Sequence, residues 1–560
     1  MRRNVFIGMK QNGRGLELTL GNFLRSAVSR NPEQKIYYQD KEIFTYAQFY
    51  RRVVNLANAL VKLGLKKGDR VAVIDWDTNR YVECYYAIPI AGGAIHTVNI
   101  RYSPELIYYT ISHAEDSFIV IRDEFVPLIE KNKELFSFIK GWIIYSESGK
   151  IGSSLEPKYN YDDLVKDEPS AKEKGKNVDI YDSAETSLPS TSEDDIATIF
   201  YTSGTTGLPK GVTFTHRNLV LHAVSLMSTL NEPPMSISSK DVVMPIVPLF
   251  HVHQWGFPHW VLSKGLPYVL PGRYNYALIL KLIEKLHVTV TAMVPTILQL
   301  ILMEAGSEGI LRNSHLRIII GGSALTEGLT KRAEALGLTV VGAYGMSETA
   351  PALTVSYISK EIEHLSPEEI KREITSAGFP VVLTQVKIVD SEMNDLPRDG
   401  KSIGEVVARA PWLTSGYWKM AEETEKLWRG GWLHTGDLGT MDRYGFLRIV
   451  DREKDVVKSG GEFVPTIILE DIISAVPGIM EVAVVGKPDQ KWDEVPVAFY
   501  TSKEELKEDY LNREMDKFVE TGRIAKFWKP VSFIRVDSFE RTSTGKIDKK
   551  PLKERVRGGS

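Results

Sequence analysis

Cysteine is almost absent: Cys84 is the single one among 560 residues. One thiol excludes an intramolecular disulfide and a cysteine-based zinc site, and makes a reducing, cytoplasmic setting the expectation. Cys84 lies in the apolar run Tyr81 to Ile88, which points to a buried core side chain rather than a nucleophile. No apolar run reaches the roughly 20 residues of a membrane span. Val5 to Met9, after Arg2-Arg3, is too short for a signal peptide. An excess of either charge is also missing. Lys+Arg at 69 against Asp+Glu at 72 leaves a net charge of -3, which gives no electrostatic reason to expect nucleic acid or an anionic membrane as partner. Internal repeats and low-complexity tracts are absent as well.

What is present is the texture of a large α/β protein. Short β-rich runs such as Val71–Ile74, Phe118–Ile121, Ile196–Tyr201, Val288–Met293 and Leu316–Ile320 alternate with helix-period segments such as Thr45–Leu63 and Ala277–Leu286. That alternation predicts mostly parallel sheets with helices on both faces. Lys166 to Asp195 is polar and aperiodic and reads as a surface loop or linker. Beyond about residue 400 the pattern turns to short β elements, Gly404–Ala408 and Gly445–Val450, which suggest a small barrel-like subdomain. From Glu481 a compact α+β unit is expected. The favoured boundary is the charged turn Asp451-Arg-Glu-Lys-Asp455, giving a large domain over 1–452 and a small one over 453–560.

The segment richest in chemistry is Tyr201-Thr-Ser-Gly-Thr-Thr-Gly-Leu-Pro-Lys-Gly211, directly after a predicted strand. Gly204, Gly207 and Gly211 allow positive φ and close approach to a ligand. The hydroxyls of Thr202, Ser203, Thr205 and Thr206, with backbone N–H groups, suit phosphate oxygens, and Lys210 adds a point charge. The segment is not a Walker loop, because G-x-x-x-x-G-K-[ST] is missing. A flexible Gly/Ser/Thr loop is the bland alternative, and the length and make-up weigh against it.

This segment resembles the phosphate-binding signature of the adenylate-forming superfamily, which includes acyl-CoA synthetases, peptide-synthetase adenylation domains and luciferases. Gly321-Gly-Ser-Ala-Leu325, Tyr344-Gly-Met-Ser-Glu-Thr349, Thr435-Gly-Asp437, Asp451-Arg-Glu-Lys-Asp455 and Thr544-Gly-Lys-Ile-Asp548 follow in the family's order. Pro248 to Gly256 and Lys458 to Phe463 resemble most the bacterial and archaeal fatty-acyl-CoA synthetases. The resemblance implies a large domain of stacked, mostly parallel sheets with a small mobile α+β domain behind it. It implies an AMP-forming acid–CoA ligase: acid and ATP give acyl-adenylate and pyrophosphate, then coenzyme A gives acyl-CoA and AMP.

Roles follow by resemblance. Thr202 and Glu348 would hold Mg²⁺, a hard ion that suits oxygen ligands and bridges phosphates. Gly322, Gly342, Ala343 and Tyr344 would form the adenine slot, with Ser347 near the α-phosphate. Asp437, an acceptor-only carboxylate when ionised, would take the ribose hydroxyls, reinforced by Arg452. Lys546 would stabilise charge building at the α-phosphorus, then leave as the small domain rotates about Lys454. Lys454 and Lys458 would contact the nucleotide in one orientation, and Gly460, Gly461 and Glu462 would line the approach of the thiol. His251 would lie near the reacting carboxylate, Val252 and Gly321 on the pocket wall, and Trp255 at the mouth of an acyl tunnel as a gate.

His251 and His253 form a His-x-His with His259 close by, but no third ligand at metal spacing suggests itself, so zinc is not expected. Acetate-specific relatives carry tryptophan where this chain has Gly345, so the glycine predicts a pocket open to longer acids. His253, Gln254, His259 and Thr349 could add hydrogen-bonding groups, which keeps a short-to-medium hydroxy acid open beside a plain fatty acid. A long-chain acid and a non-CoA acceptor are the alternatives. A homodimer is an expectation from analogy alone.

Overall fold

The computed structural model describes residues 16–166, 188–202, 208–306, 309–312, 314–542 and 546–558. Ser203, Gly204, Thr205, Thr206 and Gly207 therefore lie outside the described residues, as does most of the polar stretch after Lys166. The expected elements form. Thr45 caps the helix Tyr46–Lys62 in a reciprocal box with Gln48, and Phe49, Val53, Leu56 and Leu60 recur at helical spacing on its buried face. Cys84 is buried within the helix Asn79–Ile90, and burial pushes its thiol up.

Two parallel-rich sheets carry the large part of the chain. In the first, Lys158–Asn160, Gly141–Tyr145, Asp116–Arg122, Arg70–Ile74, Ala94–Thr97 and Ile196–Thr202 run parallel, and Lys210–Thr215 closes the edge antiparallel. In the second, Val290–Met293, Arg317–Ile320 and Thr339–Gly345 are parallel, followed antiparallel by Ala352–Val355 and Phe379–Pro380. The near-continuous Val/Ile runs of these strands are what two covered faces demand. Where the small barrel-like unit was expected, Gln385–Val389, Gly404–Arg409, Trp432–Met441, Trp428–Arg429 and Leu447–Arg452 make an antiparallel five-stranded sheet.

A new sheet begins past Arg452. Glu462–Val464, Val457–Ser459, Asp493–Thr501 and Glu481–Asp489 pair antiparallel, and Ser532–Arg535 adds a parallel edge. The helix Thr466–Ser474 packs on it through Leu469, Ile472 and Ile473. No described helix is long and apolar enough to cross a membrane.

Candidate active site

Parallel strands bring their carboxyl ends to one side of a sheet, which is where α/β proteins place ligands. Thr202 ends the strand Ile196–Thr202, Gly321 and Gly322 follow Arg317–Ile320, and Gly342 to Gly345 end Thr339–Gly345. Several of these positions tolerate no side chain. A Cβ on Gly342 would fall 1.9 Å from the Ser376 carbonyl oxygen, and one on Gly345 would fall 1.7 Å from that of Pro351.

The Gly345 result corrects the steric argument about chain length. Its missing side chain faces the Pro351 backbone rather than open pocket, so a larger residue there needs that backbone to shift as well.

Lys546 is half-buried in the midst of this region. Its Cε lies 3.6 Å from where a Cβ on Gly322 would stand, an ordinary contact distance that sets the lysine beside that glycine. Burial, Arg452 and Lys454 lower the Lys546 ammonium to about 8, opposed by the carboxylate of Asp437. Asp437 is held by the Tyr344 hydroxyl at 2.7 Å and lies 3.5 Å from Arg452, its cross-strand partner. Burial raises the Asp437 carboxyl, and Arg452, Tyr344, Lys546 and Lys454 pull it back. The structure thus gathers Lys546, Asp437, Arg452, Lys454, Tyr344 and Gly322 into one cluster. His251 belongs to it as well, because burial lowers its imidazole to about 3 and Lys546 and Arg101 act in the same direction. A neutral His251 can accept or donate a hydrogen bond but adds no charge.

Trp255 is buried, with its indole edge 3.1 Å from where a Cβ on Gly321 would lie. It ends a turn in which Val252, His253, Gln254 and Trp255 have φ of 47°, 54°, 49° and 57°. Four successive left-handed non-glycine residues cost roughly 1–2 kcal/mol each, so surrounding packing has to hold the turn, and Val252 is fully buried.

A second group surrounds Glu348. Its carboxylate accepts the Tyr417 hydroxyl at 2.6 Å, and burial raises its proton affinity. The Lys210 ammonium sits 5.0 Å from the Tyr417 ring centroid and pairs with Glu423. That pairing, with Lys426 as second partner, holds the Glu423 carboxyl down at about 2. Tyr417 and Glu423 escaped sequence reasoning: 69 residues separate Glu348 from Tyr417, and neither tyrosine nor glutamate after a helix-like start carries a local signal.

Ser347 opens a 3-10 turn through Thr349, and Ala343 is half-buried opposite Val355. Lys458, Gly460 and Gly461 occupy a hairpin of the last sheet. The Lys458 N–H donates to Glu494 at 3.1 Å and the Gly460 N–H to the Trp492 carbonyl at 2.8 Å. Both glycines have positive φ, at 60° and 86°. These partners belong to the last sheet itself, so the hairpin is not part of the Lys546 cluster in this arrangement.

Contacts between the last sheet and the large part set that arrangement. The Glu327 N–H, at the start of the helix Glu327–Glu334, donates to Asp471 at 2.9 Å, and Arg523 lies 3.3 Å from the Glu327 carboxylate. Arg541 reaches the Thr296 hydroxyl at 3.3 Å. Behind Lys546, Lys549 pairs with Glu470 at 2.7 Å and Lys553 with Asp455 at 2.6 Å, which ties the segment carrying Lys546 to the Asp451–Asp455 turn.

A lysine, a paired aspartate and a tyrosine are thus brought beside glycine-lined strand ends. Comparison with known proteins agrees. The AMP-binding enzyme family matches residues 24–418, and the AMP-binding enzyme C-terminal domain matches 469–546. A long-chain-fatty-acid–CoA ligase of Thermus thermophilus is 33% identical over 97% of this chain and 96% of its own. A 4-hydroxybutyrate–CoA ligase of Metallosphaera sedula is 31% identical over 93% and 91%. Among solved structures, ATP-bound MatB from Rhodopseudomonas palustris superposes with a TM-score of 0.79 at 25% identity, covering 96% of this chain and 99% of that one. The chain belongs to the AMP-binding enzyme family, as an AMP-forming acyl-CoA ligase for which ATP and coenzyme A are substrates.

Proposed function

We propose that the protein activates a short-to-medium-chain fatty or hydroxy acid, with Lys546 as the residue that carries the first step. The supporting observation is the placement of half-buried Lys546 beside Asp437 and Gly322 with its proton affinity lowered only to about 8, so that it is mostly a cation at neutral pH. The acid's carboxylate oxygen attacks the α-phosphorus of ATP, the P–O bond to pyrophosphate breaks, and negative charge grows on the equatorial oxygens. An ammonium fixed there in a buried site stabilises that charge more than it stabilises the reactants.

Asp437 accepts hydrogen bonds from the ribose and Tyr344 faces the base, with Gly342 and Ala343 beside it. Ser347, Lys210 and the 202–207 segment meet the phosphates. Val252, Trp255 and Gly321 border the acid, with His251 near its carboxylate. Trp255 is the gate of the acyl tunnel.

Glu348 and Thr202 fit a magnesium site. The described residues contain no cluster of three or more His, Cys, Asp or Glu that would form an all-protein cage, and Mg²⁺ needs none, because it keeps waters and takes phosphate oxygens. Glu348 is a buried carboxylate that accepts from the Tyr417 hydroxyl and has no cation paired with it among the described ion pairs, so a cation would offset its burial. Held there by Glu348 and Thr202, the ion would supply positive charge to the phosphate oxygens.

For the second step the division falls at 452/453, where the sheets change. Rotation about Lys454 would withdraw Lys546 and bring Lys458, Gly460 and Gly461 to the site. The thiolate of coenzyme A then attacks the acyl carbonyl and AMP leaves. The preference for hydroxy or fatty acids rests on the relatives named above and on the polar residues near Trp255. A cytoplasmic setting follows the cysteine argument, and a homodimer is carried by analogy and tested by sedimentation.

The decisive assay is acid-dependent pyrophosphate release followed by addition of coenzyme A. Acyl-CoA and AMP should appear together. Accumulation of acyl-AMP without thioester would sink the reading in favour of another acceptor.

A further inference from the structure

Three buried nitrogens in and after the left-handed turn have no hydrogen-bond partner among the described residues: Nδ1 of His253, Nε2 of Gln254 and Nε2 of His259. Each of these side chains is fully buried. Leaving a buried donor or acceptor unmet costs about 1–3 kcal/mol, so three together call for an explanation.

Their protonation can be worked out from their other contacts. The Tyr86 hydroxyl donates its only proton to the Pro258 carbonyl at 3.0 Å. Its oxygen can then only accept from Nδ1 of His259, 3.2 Å away. Burial keeps that imidazole neutral, with its proton affinity lowered to about 3, so Nε2 of His259 is a bare lone pair that wants a donor. Gln254 is the reverse. Its carbonyl oxygen accepts from the Tyr268 hydroxyl, so its unmet NH₂ group wants an acceptor. His253 spends Nε2 on the Thr198 hydroxyl at 2.8 Å and keeps Nδ1 free.

The rings of His253 and His259 have centroids 6.4 Å apart, tilted by 50°. The walls are aromatic: Tyr85 lies edge-on to both rings, and Phe200 and Phe214 stand against His253. The same turn borders the reacting centre, since His251 precedes it and the Trp255 indole rests on Gly321 beside Gly322 and Lys546.

We infer that His253, Gln254 and His259 form a subsite for a hydroxyl group at the far end of the acid, which donates to Nε2 of His259 and accepts from the Gln254 amide. The substrate class is then a hydroxyalkanoic acid with its hydroxyl remote from the carboxyl. A hydroxyl is both donor and acceptor and meets both requirements. An alkyl end leaves all three nitrogens unmet. A second carboxylate would meet the Gln254 amide but face the lone pair of His259. This inference rests on the acid-activating reading and names its substrate class.

The test compares kcat/KM for acid-dependent pyrophosphate release between each alkanoate and its ω-hydroxy counterpart, over chains of roughly four to eight carbons. We expect the hydroxy acid to win by about tenfold or more for at least one length. His259→Phe, or Gln254→Leu where the first variant does not fold, should bring that ratio to one or below. If the alkanoate is equal or better at every length, the nitrogens serve buried water only and the inference fails. It fails too if the hydroxy preference survives both substitutions. Because this readout is adenylation, a protein that makes acyl-AMP but no thioester would overturn the ligase reading while leaving the ratio to decide the subsite.

Discussion

Replacing Lys546 with alanine removes the cation that the proposed reading sets at the α-phosphorus and leaves Asp437 paired. Tyr344 still holds Asp437, and Arg452 still faces it. Loss of one preorganised charge-stabilising group of this kind costs about 2.7–4 kcal/mol in the transition state, or roughly 10²–10³ in rate. The assay splits the reaction: pyrophosphate release reports adenylation, and thioester formation from supplied acyl-AMP reports the second step. Adenylation should fall by that factor while the second step barely changes. Equal loss in both would refute the assignment, because a lysine needed for the general integrity of the site would weaken both.

A pH profile gives a second readout from the same group. In the proposed reading Lys546 acts as a cation, and burial lowers its proton affinity to about 8. Adenylation kcat/KM should therefore be full below that pH and decline as pH rises through it. Lys546→Arg should remove this alkaline limb, whatever its rate, since arginine stays protonated.

Gly345→Ala tests the corrected view of that glycine. A Cβ 1.7 Å from the Pro351 carbonyl oxygen forces the chain apart, so stability should drop by about 1–3 kcal/mol with no shift in chain-length preference; thermal inactivation and an acid screen read the two effects, and a clean change of preference at unchanged stability would show the pocket interpretation to be right after all. Asp471→Ala removes the carboxylate that accepts the Glu327 N–H across to the large part. A cap of that kind is worth about 1–2 kcal/mol, so adenylation should fall several-fold while conversion of supplied acyl-AMP holds or rises; loss in both half-reactions would mean the contact merely stabilises the fold.

Much of this protein can be read along the chain. Alternating Val/Ile runs and helix-period segments announce the parallel sheets, because a strand covered on both faces must be apolar throughout. The glycine-rich and Thr-Gly-Asp segments announce a nucleotide site, because close backbone approach and acceptor oxygens are local properties. Lys546 could be singled out from its motif even among the neighbouring Lys549, Lys550 and Lys553. Only the fold sorts those lysines: Lys549 goes to Glu470 and Lys553 to Asp455, while Lys546 goes to Asp437 and Gly322.

The rest was decided by tertiary structure. Tyr417 meets Glu348 across 69 positions, and no spacing rule reaches that far. Gly345 looks like an open pocket in the sequence and proves to be a backbone crossing, since the direction of a missing side chain exists only in three dimensions. The same holds for His253, Gln254 and His259. Along the chain they are polar residues in an apolar stretch. Which of their nitrogens is left unpaired, and whether it gives or takes a proton, depends on Thr198, Tyr86, Pro258 and Tyr268, most of them distant in sequence and brought there by packing.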